Sequence, residues 1–479
     1  MEEKSHAKKR EKLARFKSFA AELLPHEVNY LQAQAAFADP INAALFQQLC
    51  DFVLHPEQAI TFDTKIDKRK YTYLKNWVEK QLSSIDADHF FEWMHQLDLK
   101  LMTDQISPDE EIELLGKIRK YNSPNYYFMR FYELVQNYRN YLLIRVRGNY
   151  LPVVSSFREN FKQQYQEAIK VNQLLHDATN DIVNQYLTKS GDSIQWEENL
   201  VAIFNNDQLD GLNRYYAVVR LSFIYFNYGA YDKLSRLYNA LDKLIISGEI
   251  YSRRILVNYY ANRLLLHSRY NELDTAARFG YLSIKAKSSD YLFYLNNLCG
   301  VLLRRGKTSE ALHLMEDNLP AFRKNISPHT RIGFASYYLK SLNENAKYTK
   351  SRRFATHFLD QNIQDILKFR WRLFFLAYAE TLLFNKDYLL LIRVFAKYKL
   401  LNLELIYKQN PDSFPALECY HLLAQYKEAK ISLDRLKQRL IPLFKNNPAP
   451  QFKRQMAETL KHLKIQLSEA FETKFFDEI

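Results

Sequence analysis

Apolar residues recur at helical spacing along most of this chain, and short polar breaks punctuate them at regular intervals. The stretch RLSFIYFNYGAYDKLSRLYNAL, residues 220–241, reads as an apolar helix, a turn at Gly229 and a second apolar helix. NYYANRLLLHSRYNELDTAARFGYLSI has the same layout, with a turn near Ser268. YLNNLCGVLLRRGKTSEALHLMEDNL turns at Gly306, GFASYYLKSLNENAKYTKSRRFATHFL near Glu344, and FFLAYAETLLFNKDYLLLIRVFAKY near Lys386. Successive turns lie 38 to 42 residues apart, with two helices per interval. A period near 40 with paired helices predicts an α-solenoid of helical hairpins over about residues 194–400.

The flanks are less regular. Residues 1–190 read as a helical N-terminal region without a repeat. Its first 20 residues carry seven Lys/Arg and suggest a frayed basic helix, with a nucleic-acid-binding arm as the alternative. Ser107-Pro108-Asp109-Glu110 combines an N-cap, a proline at the first helical position and a capping-box glutamate. Ile112, Leu115 and Ile118 then follow at helical spacing. Another helix is expected from Ser156 toward Lys189, with Gly191 as its C-terminal cap. Residues 401–479 read as a helical cap: one or two helices after PDSFP, a break at Pro448–Pro450, and a basic amphipathic helix over about 451–475.

Composition strengthens the helical reading. There are only 10 Gly and 13 Pro in 479 residues, too few for the tight turns of a sheet protein. No proline occurs between Pro152 and Pro320, as a run of long helices requires. The prediction is therefore an all-α protein. Three widely spaced cysteines (Cys50, Cys299, Cys419) suit buried thiols in a reducing compartment and exclude a disulfide framework. The charged N-terminus has no apolar core of a signal peptide, and the longest apolar run, Leu373–Ala379, cannot span a bilayer. A cytoplasmic protein without membrane insertion is expected.

The repeated units resemble tetratricopeptide-like repeats. One unit carries Val218, Leu221, Ser222 and Tyr225 in its first helix, Gly229 and Tyr231 at the turn, and Tyr238 in the second. Another carries Leu295, Leu298, Cys299 and Leu302, then Gly306 and Ala311; a third has Phe375, Tyr378, Ala379, Leu382 and Tyr388. Small residues at the crossing (Ser222, Cys299, Ala379) let two helix backbones approach closely. The units depart from the family in length and in Leu234 and Leu391, which stand where it prefers alanine. Such longer, degenerate repeats are similar to those of peptide-sensing bacterial regulators. The resemblance implies a concave groove lined by the first helices, where Asn and Arg hold an extended peptide by its backbone or carboxylate. The corresponding positions are Asn258, Asn262, Arg263, Asn296, Asn297 and Arg304. The bland alternative is that these six are solvated or inter-helix polar residues.

Charge opens a second possibility. The net charge is +13, and residues 251–360 hold 18 Lys/Arg against 8 Asp/Glu, while residues 51–120 hold 10 against 14. A basic middle could attract nucleic acid, anionic lipid or an acidic protein.

Enzymatic signatures are weak. Gly300, Gly306, Lys307 and Thr308 look like a phosphate-binding loop, but five residues rather than four separate the glycines, and those five continue a helical face. Glu92/His95 and Glu418/His421 have the spacing of di-metal bundle ligands, yet they lie over 300 residues apart and are about as many as chance supplies. His176-Asp177 lacks companion ligands. No cofactor is expected. The predicted function is a non-enzymatic scaffold or sensor binding a protein or peptide, possibly acidic; the alternative is RNA or DNA binding through the basic 251–360 face.

Overall fold

The computed structural model describes residues 13–122, 125–188, 192–407, 414–445 and 453–467. Within these residues every regular element is helical and no strand occurs, so the protein is all-α. Contacts divide the chain into two compact units, Met1–Leu266 and His267–Ile479. This division marks compactness, whereas the change near residue 194 marks the onset of regular sequence. Most of the first 20 residues, Gly191, the Pro448–Pro450 break and the end of the basic C-terminal helix lie outside the described residues.

The first unit holds α1 (Ala14–Glu22), α2 (Pro25–Gln34), α3 (Pro40–Leu54), α4 (Lys68–Ile85), α5 (Ala87–Met102) and α6 (Pro108–Lys120). It continues with α7 (Phe128–Ile144), α8 (Leu151–Thr188), α9 (Glu197–Asn205), α10 (Gly211–Asn227), α11 (Tyr231–Ile246) and most of α12 (Arg253–Arg269). One core joins α1 to α4 through Phe16, Leu31, Leu49, Cys50, Tyr71 and Leu74. A second joins α5 to α8 through Met94, Leu115, Phe128, Phe131, Tyr138 and Phe157. The capping box forms as the sequence predicts: Glu110 N–H donates to Ser107 Oγ, and Ser107 N–H donates to Glu110 Oε2 at 3.0 Å. Lys100 also bonds Glu110, and with the cap it holds that carboxyl down at about 2. The apolar face of α6 differs from expectation. Ile112 is 64% exposed, while Glu111 is buried in its place and accepts from Arg147 at 2.8 Å. The buried stripe runs Glu111, Leu114, Leu115, Ile118, because a carboxylate paired with the half-exposed Arg147 takes the position that hydropathy assigned to isoleucine.

The second unit holds α13 (Leu273–Ser283), α14 (Tyr291–Arg304), α15 (Thr308–Asp317), α16 (Leu319–Lys324), α17 (Pro328–Glu344) and α18 (Tyr348–Asp365). After these come α19 (Trp371–Phe384), α20 (Tyr388–Lys397), α21 (Leu400–Tyr407), α22 (Ala416–Lys427), α23 (Leu433–Lys445) and α24 (Lys453–Leu467). A π-helical turn over Ile366–Arg370 joins α18 to α19 without a loop. Within this unit α14 packs beside α17, α17 beside α19 and α19 beside α22. The helices α13, α15, α18 and α20 each pack against the next member of that row. This order is consistent with stacked helical hairpins.

All five turns read from the sequence separate two helices, and they share one device. A residue in the left-handed region follows each first helix: Gly229, Asn271, Gly306, Ala346 and Lys386, with φ of 66°, 61°, 74°, 55° and 62°. The next amide reaches five residues back, from Ala230 to Tyr225, Glu272 to His267, Lys307 to Leu302, Lys347 to Leu342 and Asp387 to Leu382, at 2.8–2.9 Å. This bond satisfies a helix-end carbonyl that would otherwise be orphaned. The small residue at the α14/α15 crossing is Cys299, whose Sγ lies 3.9 Å from the Ala311 carbonyl. Burial pushes its thiol up to about 12.

Candidate functional site

The row α14, α17, α19 and α22 carries a set of buried polar side chains, among them Asn296, Asn343 and Thr381. Two glycines let these helices approach. A Cβ on Gly300 would stand 3.1 Å from the Tyr337 ring, and one on Gly333 would stand 2.9 Å from an Arg370 guanidinium nitrogen. Asparagines tie the row together. Asn296 Nδ2 donates to the Thr330 carbonyl at 3.2 Å, and Asn343 Nδ2 donates to the Ala377 carbonyl at 3.1 Å. Each bond joins one first helix to the next across 34 residues. Thr381 closes the second tie by donating to Asn343 Oδ1 at 3.0 Å. Beside them Arg370 Nε donates to His329 Nε2 at 2.7 Å. Burial, reinforced by the Arg370 charge, lowers His329 to about 4, so the ring is a neutral acceptor at pH 7.

The six residues predicted for a groove divide between the units. In the first unit Asn258 Oδ1 accepts from Tyr215 Oη at 3.2 Å and from Asn262 Nδ2 at 3.0 Å. Arg263 donates to Asn239 Oδ1 at 3.0 Å and lies over the Tyr259 ring. In the second unit Arg304 donates to the Ser268 carbonyl at 3.0 Å, to Ser268 Oγ and to Asn271 Oδ1 at 3.0 Å. These ties clamp the turn between α12 and α13. Asn296 Oδ1 and Asn297 Nδ2 are buried without a protein hydrogen bond. The structure therefore assigns most of these side chains to bonds within the chain.

What sequence reasoning did not find is where the C-terminal helix docks, which is against α19, α20 and α22. On α24, Thr459, His462, Leu463 and Leu467 are buried. Arg372 of α19 donates to Gln455 Oε1 at 3.2 Å, and Tyr388 of α20 donates to Gln466 Oε1 at 3.0 Å. Tyr420 of α22 and His462 Nδ1 are 2.8 Å apart, and His462 meets the Phe384 ring edge-on at 5.2 Å. Within α24, Glu458 pairs with Arg454 at 3.4 Å. Burial would lower the Lys340 ammonium, but Glu380 and Glu458 overcome that and shift its pKa upward. Burial and the nearby Arg454 lower Arg304. The amphipathic pattern of α24 was the available signal; its docking place was not.

The phosphate-loop-like stretch is a hairpin turn: Gly300 sits inside α14, and Lys307 and Thr308 start α15. An open cleft of about 570 Å³ beside it is lined by Lys307, His313, Glu310 and Asp317, with Tyr281 bonded to Glu310. Two carboxylates beside one lysine make a poor anion cradle. Among the described residues no three His, Cys, Asp or Glu side chains are grouped to hold a metal ion. His421 stacks on Phe395 at 5.2 Å, and Glu418 pairs with Arg439 at 3.7 Å. No described helix is long and apolar enough to cross a membrane. Comparison with protein families, curated proteins and solved structures finds no match for this chain.

Proposed function

We propose that this protein is a non-enzymatic scaffold or sensor that binds a protein or peptide partner on the row formed by α14, α17, α19 and α22, within the cytoplasm. One observation carries the reading: α19 and α22 of that row, with α20 beside them, hold a helix of the same chain, α24, through side-chain hydrogen bonds at Arg372, Tyr420 and Tyr388. A surface that orders one helix by hydrogen bonds and a few apolar contacts has the make-up of a recognition face. Lys340 and Arg304 give it positive charge near α24, which suits a partner carrying a carboxylate.

Nucleic-acid binding through residues 251–360 ranks lower, because several of those cations are already engaged. Arg254 pairs with Asp88 at 2.9 Å, Lys350 with Glu316 at 2.6 Å and Arg352 with Asp387 at 3.1 Å; Arg305 pairs with Asp274. The test is affinity capture from the native cell, with and without nuclease, using wild type and folded Lys340→Ala and Arg304→Ala variants. The expected result is a nuclease-resistant protein partner whose affinity falls about tenfold in the variants. Capture abolished by nuclease, with a steep loss of binding in salt, would favour the nucleic-acid reading instead.

A further inference from the structure

We propose that α24 is a displaceable occupant of the α19/α22 face, and that a partner protein's amphipathic helix with the α24 pattern takes its place. The proposal rests on the binding function above and names the ligand of that face.

The bed of α24 does not depend on α24 for its charges. Arg372 also donates to the Phe414 carbonyl at 2.6 Å, and Lys340 has Glu380 from α19 as a second acidic neighbour. Departure of the helix therefore leaves Arg372 bonded to Phe414 and Lys340 with an acidic side chain nearby. The contacts that would be lost are side-chain hydrogen bonds, which water can replace, and the burial of a narrow stripe. Of that stripe only Leu463 and Leu467 are large apolar groups fully withdrawn from solvent. The contrast with α22 is sharp, since Leu417, Cys419, Tyr420, Leu422 and Leu423 are all buried there and surround the helix. On the outer side of α24, Lys461 and Lys464 are exposed. Helices with so little buried apolar surface open locally at lower free energy than those in a core.

The seam specifies its ligand. Gln455, Glu458, Thr459, His462, Leu463 and Leu467 fall at i, i+3, i+4, i+7, i+8 and i+12, one stripe of an α-helix. A competing helix must offer hydrogen-bonding side chains toward Arg372 and Tyr420, an acid toward Lys340 and two leucines for the apolar end. Helix-in-groove recognition works through anchors at this spacing.

Two measurements on the full chain test the proposal. In hydrogen exchange read by mass spectrometry, α24 amides of the wild type should exchange at least about 100-fold faster than those of α22. A fluorescent synthetic peptide of residues 453–467 should bind a Leu463→Asp/Leu467→Asp variant at least about tenfold more tightly than wild type, where the tethered α24 competes at high effective concentration. Exchange of α24 together with α19 and α22 in one cooperative event would overturn the idea. So would loss of protection in α17 and α19 of the variant, or peptide binding that is equal or absent on both proteins. These results bear on α24 alone, whereas partner capture insensitive to Lys340→Ala speaks against the proposed function itself.

Discussion

The α5–α8 region and the α14–α22 row are both built from helices, but different contacts hold them. In α5–α8 aromatic rings interlock. Phe131 lies edge-on to Phe157 at 5.6 Å, Tyr121 meets Phe157 at 5.2 Å, and Tyr132 stacks on Tyr165 at 4.1 Å. In α14–α22 rings pack too, Phe322 on Phe334 at 4.7 Å and Phe358 against Phe374 at 5.7 Å, and close glycines, a crossing cysteine and asparagine ties are added to them. Left-handed turns are common to both, at Asp104 and Val146 in the first and at Gly306, Ala346 and Lys386 in the second; the difference is that the second adds close-approach glycines and amide-to-carbonyl ties to its rings. Cohesion in the first thus rests chiefly on large rings, and in the second it is shared between rings and small devices.

Substitutions can break that contrast, and the largest effect belongs to the aromatic region. Phe131→Ala should cost about 3–5 kcal/mol, because the ring is fully buried and its neighbours cannot collapse into the gap. Denaturant unfolding followed by exchange in α5–α8 would measure it; a loss below 1 kcal/mol would mean the rings are not the main cohesion. Gly300→Val should cost about 2–3 kcal/mol in the second unit, since the branched side chain meets the Tyr337 ring.

A titration probes the buried polar groups of the second unit. Glu404 caps α22 by accepting from the Leu417 and Glu418 amides at 3.2 and 2.8 Å. Burial outweighs these bonds and the Arg372 charge and raises its pKa from 4.5 to about 7. Its protonated form is favoured by folding, so its contribution is complete below the unfolded pKa and is lost as pH rises through about 7. Between roughly pH 5 and pH 8 the wild type should lose on the order of 2 kcal/mol that Glu404→Gln does not lose. Parallel pH profiles for the two proteins would refute the assignment. The smallest effect is at a turn. Ala346→Gly should stabilise by about 0.5 kcal/mol, because relief of a left-handed alanine exceeds the added unfolded-state entropy. A lower melting temperature would show that this turn is not strained.

Much of the hairpin pattern is legible in the sequence. The apolar period placed turns at Gly229, Gly306 and Lys386, and those residues themselves take the left-handed conformation. Near Ser268 and Glu344 the turn residue is Asn271 or Ala346, two or three positions on, where no glycine marks it. Ser107 and Glu110 cap α6 as read, because a capping box needs only four consecutive residues. The side of α6 that is buried was not legible: the partner that buries Glu111 is Arg147, 36 residues away. The same limit applies to Arg304, whose acceptors lie in a turn more than 30 residues upstream.

By itself, then, the sequence determined the helical class, the hairpin period and the local caps and turns, all of which rest on contacts within a few residues. Only the tertiary structure decided which polar side chains are spent as ties between helices, and that α24 lies against α19 and α22. Those outcomes depend on pairings such as Tyr420 with His462, and a one-dimensional pattern carries the periodicity of each helix but not the identity of the face it meets.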